Sequence, residues 1–154
     1  MRLVKIEFVN DGEHVVYKGP QGPLRFRLDQ SPETAALEEG DRLEFGMARQ
    51  DLGTLDGGVA AWIAGEVYVL RRNGRSLVLE DGAGRPRAIA RRARFGRMRL
   101  ERPDGTEIAA VHGLDGKVAE SADAVEVRLM LLLTIAGAAR AIERRSVGDL
   151  LPFS

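Results

Sequence analysis

Cysteine is absent from all 154 residues, which excludes disulfides, thiolate metal sites and a cysteine nucleophile, and suits a reducing compartment. Histidine occurs only as His14 and His112, and neither has a second ligand at a metal-like spacing, so no metal or other cofactor is expected. Aromatic residues make up 5% of the chain, too few to interleave with basic residues as single-strand nucleic-acid binders require. An isoelectric point near 6.8 also argues against nucleic acid as a partner. Catalytic signatures are missing as well. Gly53, Gly57 and Gly58 lack the Lys-Ser/Thr that follows a phosphate loop, Gly82-Ala-Gly84 lacks the third glycine of a dinucleotide turn, and no serine sits in a Gly-x-Ser-x-Gly elbow. A non-enzymatic protein is therefore expected. At the N-terminus, Lys5 and Glu7 stand where a signal peptide needs its apolar centre, so the expectation is a cytoplasmic protein.

What the chain does have is alternation. Hydrophobic content of 44% and charged content of 30% suit one globular domain over residues 1–154. Apolar residues recur at every second position through much of residues 3–119, the mark of strands with one buried face. Turn signals punctuate them: Asn10-Asp11-Gly12, Gly19-Pro20, Gly22-Pro23, Asn73-Gly74, Asp81 to Pro86, Pro103-Asp104-Gly105 and Asp115-Gly116. Asn73-Gly74 between two β-rich runs is the strongest hairpin signal, and Gly96 reads as a bulge between strands 87–95 and 97–102. Ser31-Pro32-Glu33 has the form of a helix start, though Gly40 and Asp41 would keep any helix there short. Strand-turn-strand spacing of this kind argues for an antiparallel barrel or sandwich.

One segment breaks the alternation. Residues 129–139 carry no charge and are mostly large and apolar, and Asp123-Ala-Val-Glu126 just before them has the form of a capping box, with Ser121 as a competing cap. The pattern predicts a helix over about 123–143, with Gly148 as a stop, followed by a tail over 146–154 whose Leu150, Leu151 and Phe153 suit docking on the domain or on a second subunit. Crossing a membrane takes about 20 apolar residues. Extending this run would bring in Glu126, Arg128 and Arg140, so no transmembrane segment is expected. Apolar groups point to every side over 129–136, which predicts a helix buried all round. The fold expected is thus mainly β, a closed antiparallel β-barrel wrapped around one hydrophobic C-terminal central helix.

Net charge is zero, but its parts are unequal. From Asp29 to Leu70, nine acids (Asp29, Glu33, Glu38, Glu39, Asp41, Glu44, Asp51, Asp56, Glu66) stand against Arg42 and Arg49, a balance of −7. From Arg71 to Arg102, eleven arginines stand against Glu80, Asp81 and Glu101, a balance of +8. If Met98 and Leu100 point inward, Arg97 and Arg99 share the outer face, and Arg92 and Arg94 join them from the neighbouring strand. Converging guanidinium forks suit phosphate or carboxylate, because each binds two oxygens at once. Arg92, Arg94, Arg97 and Arg99 are therefore the candidate contact for an anionic lipid headgroup or an acidic protein surface, with peripheral membrane association in the first case. The competing reading is a solvated face neutralised by the acidic segment, and with it a protein-interaction or scaffold domain. Trp62, in the apolar run Val59 to Ala64, is expected to be buried.

Pro103-Asp-Gly-Thr-Glu-Ile-Ala-Ala-Val111, a polar turn entering a strand, and Ala124-Val-Glu-Val-Arg-Leu-Met-Leu-Leu-Leu-Thr-Ile-Ala-Gly-Ala-Ala-Arg-Ala141, a very hydrophobic terminal helix, give the chain a resemblance to the tubby C-terminal-like superfamily. That superfamily includes the LURP-one-related proteins and the phospholipid scramblases. The resemblance implies a closed barrel around a central helix, and roles ranging from phosphoinositide binding to lipid-linked functions. A phosphoinositide pocket does not align residue by residue. The stretch Asp115 to Glu126 also departs from a calcium loop, lacking acids at alternate positions around a central glycine.

Overall fold

A computed structural model describes residues 2–31, 34–45, 59–92 and 97–150, and the side chains of these other than Phe45 and residues 139–150. The strands are β1 (Leu3–Lys5), β2 (Glu7–Asp11), β3 (His14–Lys18), β4 (Leu24–Phe26), β5 (Thr34–Ala36), β6 (Arg42–Phe45), β7 (Val59–Ile63), β8 (Glu66–Asn73), β9 (Ser76–Glu80), β10 (Pro86–Arg92), β11 (Arg97–Glu101), β12 (Glu107–His112) and β13 (Asp115–Ala119), and the helix α1 spans Ala124–Leu150. Ten strands form one antiparallel sheet in the order β1-β13-β12-β11-β10-β9-β8-β7-β6-β5, and β2-β3-β4 form a second. Among the described residues, the two sheets are joined at two places. Where β1 passes into β2, the Ile6 amide donates to the Gly116 carbonyl at 3.1 Å. At the far edge Phe26 bridges Leu37, and the Glu38 amide donates to the Arg25 carbonyl at 2.9 Å.

The period-2 pattern does the sorting. Tyr17, Leu24, Phe26, Leu43, Leu70, Leu79, Leu100 and Val118 point inward into one cluster that includes both sheets and the helix. Leu129, Met130, Leu131 and Leu132 have no exposed surface, and Leu133, Ile135 and Ala136 are buried beside them. The expected burial is thus observed for the apolar side chains through Ala136, while Thr134, Gly137 and Ala138 are only partly buried. Among the described residues, no helix is long and apolar enough to cross a membrane.

The helix begins where its capping box predicts. Asp123 Oδ1 accepts from the Glu126 amide at 2.9 Å, and Glu126 Oε1 accepts from the Asp123 amide at 2.9 Å, so the free N–H groups of the first turn are satisfied reciprocally. Its other end differs from expectation. The helix runs through Gly148 to Leu150, so residues 146–150 are helical and not a tail, while 151–154 lie outside the described residues.

Two further expectations change. Thr34–Ala36 is a strand where Ser31-Pro32-Glu33 suggested a helix start. Inward alternation of Ala35 and Leu37 outweighs the local cap signal, and the Gln30 amide completes the edge, its Nε2 donating to the Ala36 carbonyl at 2.8 Å and its Oε1 accepting from the Ala36 amide at 2.6 Å. Trp62 is half-buried and not fully covered, because it lies on the outer face of β7, where the Arg42 guanidinium sits 4.3 Å from its ring centroid. Gly96 and the glycines at 53, 57 and 58 lie outside the described residues.

Candidate anion-binding face

Strand alternation sets the outer face of β10 to β13. Met98 and Leu100 of β11 are buried, so Arg97 and Arg99 point outward and are exposed, as expected. The register then decides which arginine joins them. Arg91 of β10 stands opposite Arg99, whereas Arg92 stands opposite the buried Met98. Arg92 therefore falls in the inward phase of its strand, at the exposed end beyond Ala88 and Ala90, and does not share the face of Arg97 and Arg99. Arg94 lies outside the described residues.

Arg91 was the missed member, and its signal was present in the sequence. In Ala88-Ile89-Ala90 the two small residues are the buried ones and the large Ile89 is half-exposed, so counting inward positions from the isoleucine shifts the phase by one. The inward-facing positions of β10 hold small side chains, so side-chain bulk alone points to the wrong phase.

Across five strands the register lines up one outward row: Arg91 opposite Arg99, Arg99 opposite Ala110, Ala110 opposite Lys117, and Lys117 opposite Lys5. A second outward row sets Arg97 opposite His112 and His112 opposite Asp115. These rows border an open depression of about 530 Å³ lined by Arg97, Arg99, Glu107, Ala110, His112 and Asp115. Gly116 lines it as well, and it has to be glycine, since a Cβ there would collide with the Ala110 carbonyl oxygen and approach Val111 Cα to 2.9 Å.

Much of the positive charge is already answered, and locally. Arg91 Nε reaches Glu101 Oε2 at 2.9 Å, Arg99 Nη2 reaches Glu107 Oε2 at 2.9 Å, and Arg71 Nε reaches Glu80 Oε2 at 2.7 Å. The described ion pairs of this arginine-rich region thus join near neighbours on the sheet or, from Arg87 and Arg102, reach Asp123 and Glu126 at the start of the helix. The acidic segment from Asp29 to Glu66 is answered by Arg27 at Asp29, by Arg42 at Glu44 and by the helix at Asp41, where Oδ2 accepts from Arg128 Nε at 2.9 Å while Oδ1 accepts from the Ala64 amide at 2.7 Å. Among the described residues, no carboxylate forms an ion pair with Lys5, Lys117 or Arg97, and no group of three or more His, Asp or Glu side chains is placed to hold a metal ion.

Arg102, the last arginine of the basic region, has a structural partner. Its Nε and Nη2 grip the buried Glu126 at 2.9 and 3.1 Å, and that hydrogen-bonded carboxylate raises the Arg102 pKa further. Comparison with known proteins finds no matching family model, no matching curated protein and no matching solved structure.

Proposed function

We propose that the protein is a non-enzymatic binding module of tubby/LURP-one-like type that recognises an anionic ligand or phospholipid headgroup through the outer face of β11 to β13. Arg97 and Arg99 are its contacts from the expected arginine set. In this reading the two junctions between the sheets, at Ile6–Gly116 and at Phe26–Leu37, close the strands into a barrel around α1, and the protein works in the cytoplasm, peripherally at a membrane. The observation that carries the reading is the open depression bordered by Arg97 and Arg99, beside lysines that no described carboxylate pairs. A protein-interaction or scaffold domain without a small ligand is the second reading, favoured by the ion pairs that already occupy Arg91 and Arg99.

Vesicle retention separates the two. Phosphatidylglycerol vesicles are expected to retain the protein in a salt-sensitive way, and Arg97→Ala with Arg99→Ala is expected to abolish that retention. Equal retention on neutral phosphatidylcholine vesicles would reject an anion-selective face.

A further inference from the structure

Like charges directly opposite each other in an antiparallel pair repel and destabilise it by a few tenths to about 1 kcal/mol. The outward row contains two such pairs, Arg91 with Arg99 and Lys5 with Lys117. The first is relieved on the diagonal, by Glu101 and Glu107. No described carboxylate relieves the second. Asp115 shares the face two residues before Lys117 and Glu7 two residues after Lys5, yet neither forms an ion pair with a lysine, and Glu7 stands opposite Lys18 in the next strand pair. Leaving the Glu7 and Lys18 pair aside as self-cancelling, five cations (Lys5, Arg91, Arg97, Arg99, Lys117) face three carboxylates (Glu101, Glu107, Asp115), so the surface keeps two positive charges.

Between the two like-charge pairs stands Ala110, the one short side chain in the row. Arg99 and Lys117 flank it from adjacent strands, two strand spacings or roughly 10 Å apart at the backbone. Both side chains are long enough to lean over the alanine from opposite sides. A guanidinium fork on one side and an ammonium on the other suit an anion with three terminal oxygens, two for the fork and one for the lysine. A phosphomonoester has three such oxygens and a charge near −2 at neutral pH, which matches the charge left over. A carboxylate or a phosphodiester offers two oxygens and one charge.

We propose that Ala110 floors a phosphomonoester site flanked by Arg99 and Lys117, with Arg97 and Lys5 completing its positive surround. Glu107 is the internal anion that holds Arg99 until the phosphate displaces it. The site deepens the anion-binding reading above and rests on it.

Titration of the whole protein with glycerol 3-phosphate, followed by calorimetry, tests the site, with parallel retention on phosphatidic acid and phosphatidylglycerol vesicles of equal surface charge. Saturable binding is expected, weakened by about tenfold or more in Lys117→Ala and in Arg99→Ala, as loss of one charge-assisted contact implies. Glu107→Gln is expected to bind several-fold tighter because the Arg99 fork is released. Ala110→Glu sets a carboxylate between Arg99 and Lys117, so it is expected to melt no lower than the parent protein while losing the phosphate entirely. Binding of glycerol 3-phosphate without preference for phosphatidic acid supports the site with a soluble phosphate as its source. Preference for phosphatidic acid that Ala110→Glu removes supports it with a lipid source. Absence of glycerol 3-phosphate binding together with equal retention on both vesicle types, unchanged in Ala110→Glu, overturns the site and leaves the broader anion reading standing. No retention on either vesicle type and no titration signal overturns both.

Discussion

Glu126 shows how much one side chain can carry. It is a buried carboxylate that closes the helix cap through the Asp123 amide and receives both nitrogens of the Arg102 fork. Glu126→Ala removes the partner of the partly exposed Arg102 and uncaps the first turn of α1, and the expected loss is about 1–3 kcal/mol in a urea titration. Replacing both partners with leucine is expected to recover part of that loss, since apolar contact then takes the place of the ion pair at the start of the helix. Tyr17 supplies a pH test. It has no exposed surface, its hydroxyl donates to the Pro20 carbonyl at 2.8 Å, and burial pushes its pKa up to about 12. Because the unfolded chain releases this proton at lower pH than the folded one, stability is complete below the ordinary tyrosine value of 10.0 and falls as pH rises from there to about 12. Thermal melts of the parent protein across that window are expected to drop more steeply than those of Tyr17→Phe. Parallel slopes would show that the buried phenol does not govern the alkaline limit.

At the scale of single elements, close approach matters as much as polarity. β12 and β13 pack so tightly at Gly116 that Gly116→Ala is expected to destabilise by about 1–3 kcal/mol, read as a lowered melting temperature, because the obstacle is backbone and cannot swing aside. Hairpins and caps were legible in the sequence where one residue type has one physical use. The hairpin between β8 and β9 falls where Asn73-Gly74 points, one residue later than that pair implies, since Asn73 is still paired with Ser76 and Gly74 at φ +63° opens the two-residue turn Gly74-Arg75, and Asp123 and Glu126 bond each other's amides as the capping box requires. Legibility failed where two local rules competed. At Ser31-Pro32-Glu33 a helix-start pattern preceded a strand whose pairing depends on Gln30 and on a bridge to Phe26, partners that sequence spacing does not reveal. At the candidate face Arg97 and Arg99 followed correctly from Met98 and Leu100, whereas Arg91 was hidden because β10 buries its small residues and half-exposes its large one. The lysines were harder still, since only the pairing of β1 with β13 brings Lys5 to Lys117.

For the whole molecule, the order of the chain is itself a constraint. The strands that supply the walls of the core come first, and the helix that fills it comes last. Leu129, Met130, Leu131, Leu132, Leu133 and Ile135 are all buried, and each contributes about 1.5–3 kcal/mol on leaving water. Six such side chains rival the entire net stability of an ordinary domain, about 5–15 kcal/mol. The helix also ties distant turns together, since Arg128 holds Asp41, which in turn accepts from the amide at Ala64, and Glu126 holds Arg102. A chain ending before Ser121 keeps all the described strands but leaves Leu43, Ile63, Leu70 and Leu100 facing an unfilled space and removes the ion-pair partners of Asp41 and Arg102. The expected product is insoluble or molten, with retained far-ultraviolet signal, poor dispersion in proton NMR and no cooperative melt. Adding the segment from Ser121 onward as a separate peptide is expected to restore a cooperative transition, because the missing element is packing and not chain connectivity. A soluble truncated fragment that unfolds cooperatively by itself would show that the sheets close on their own side chains and that the helix is dispensable to the core.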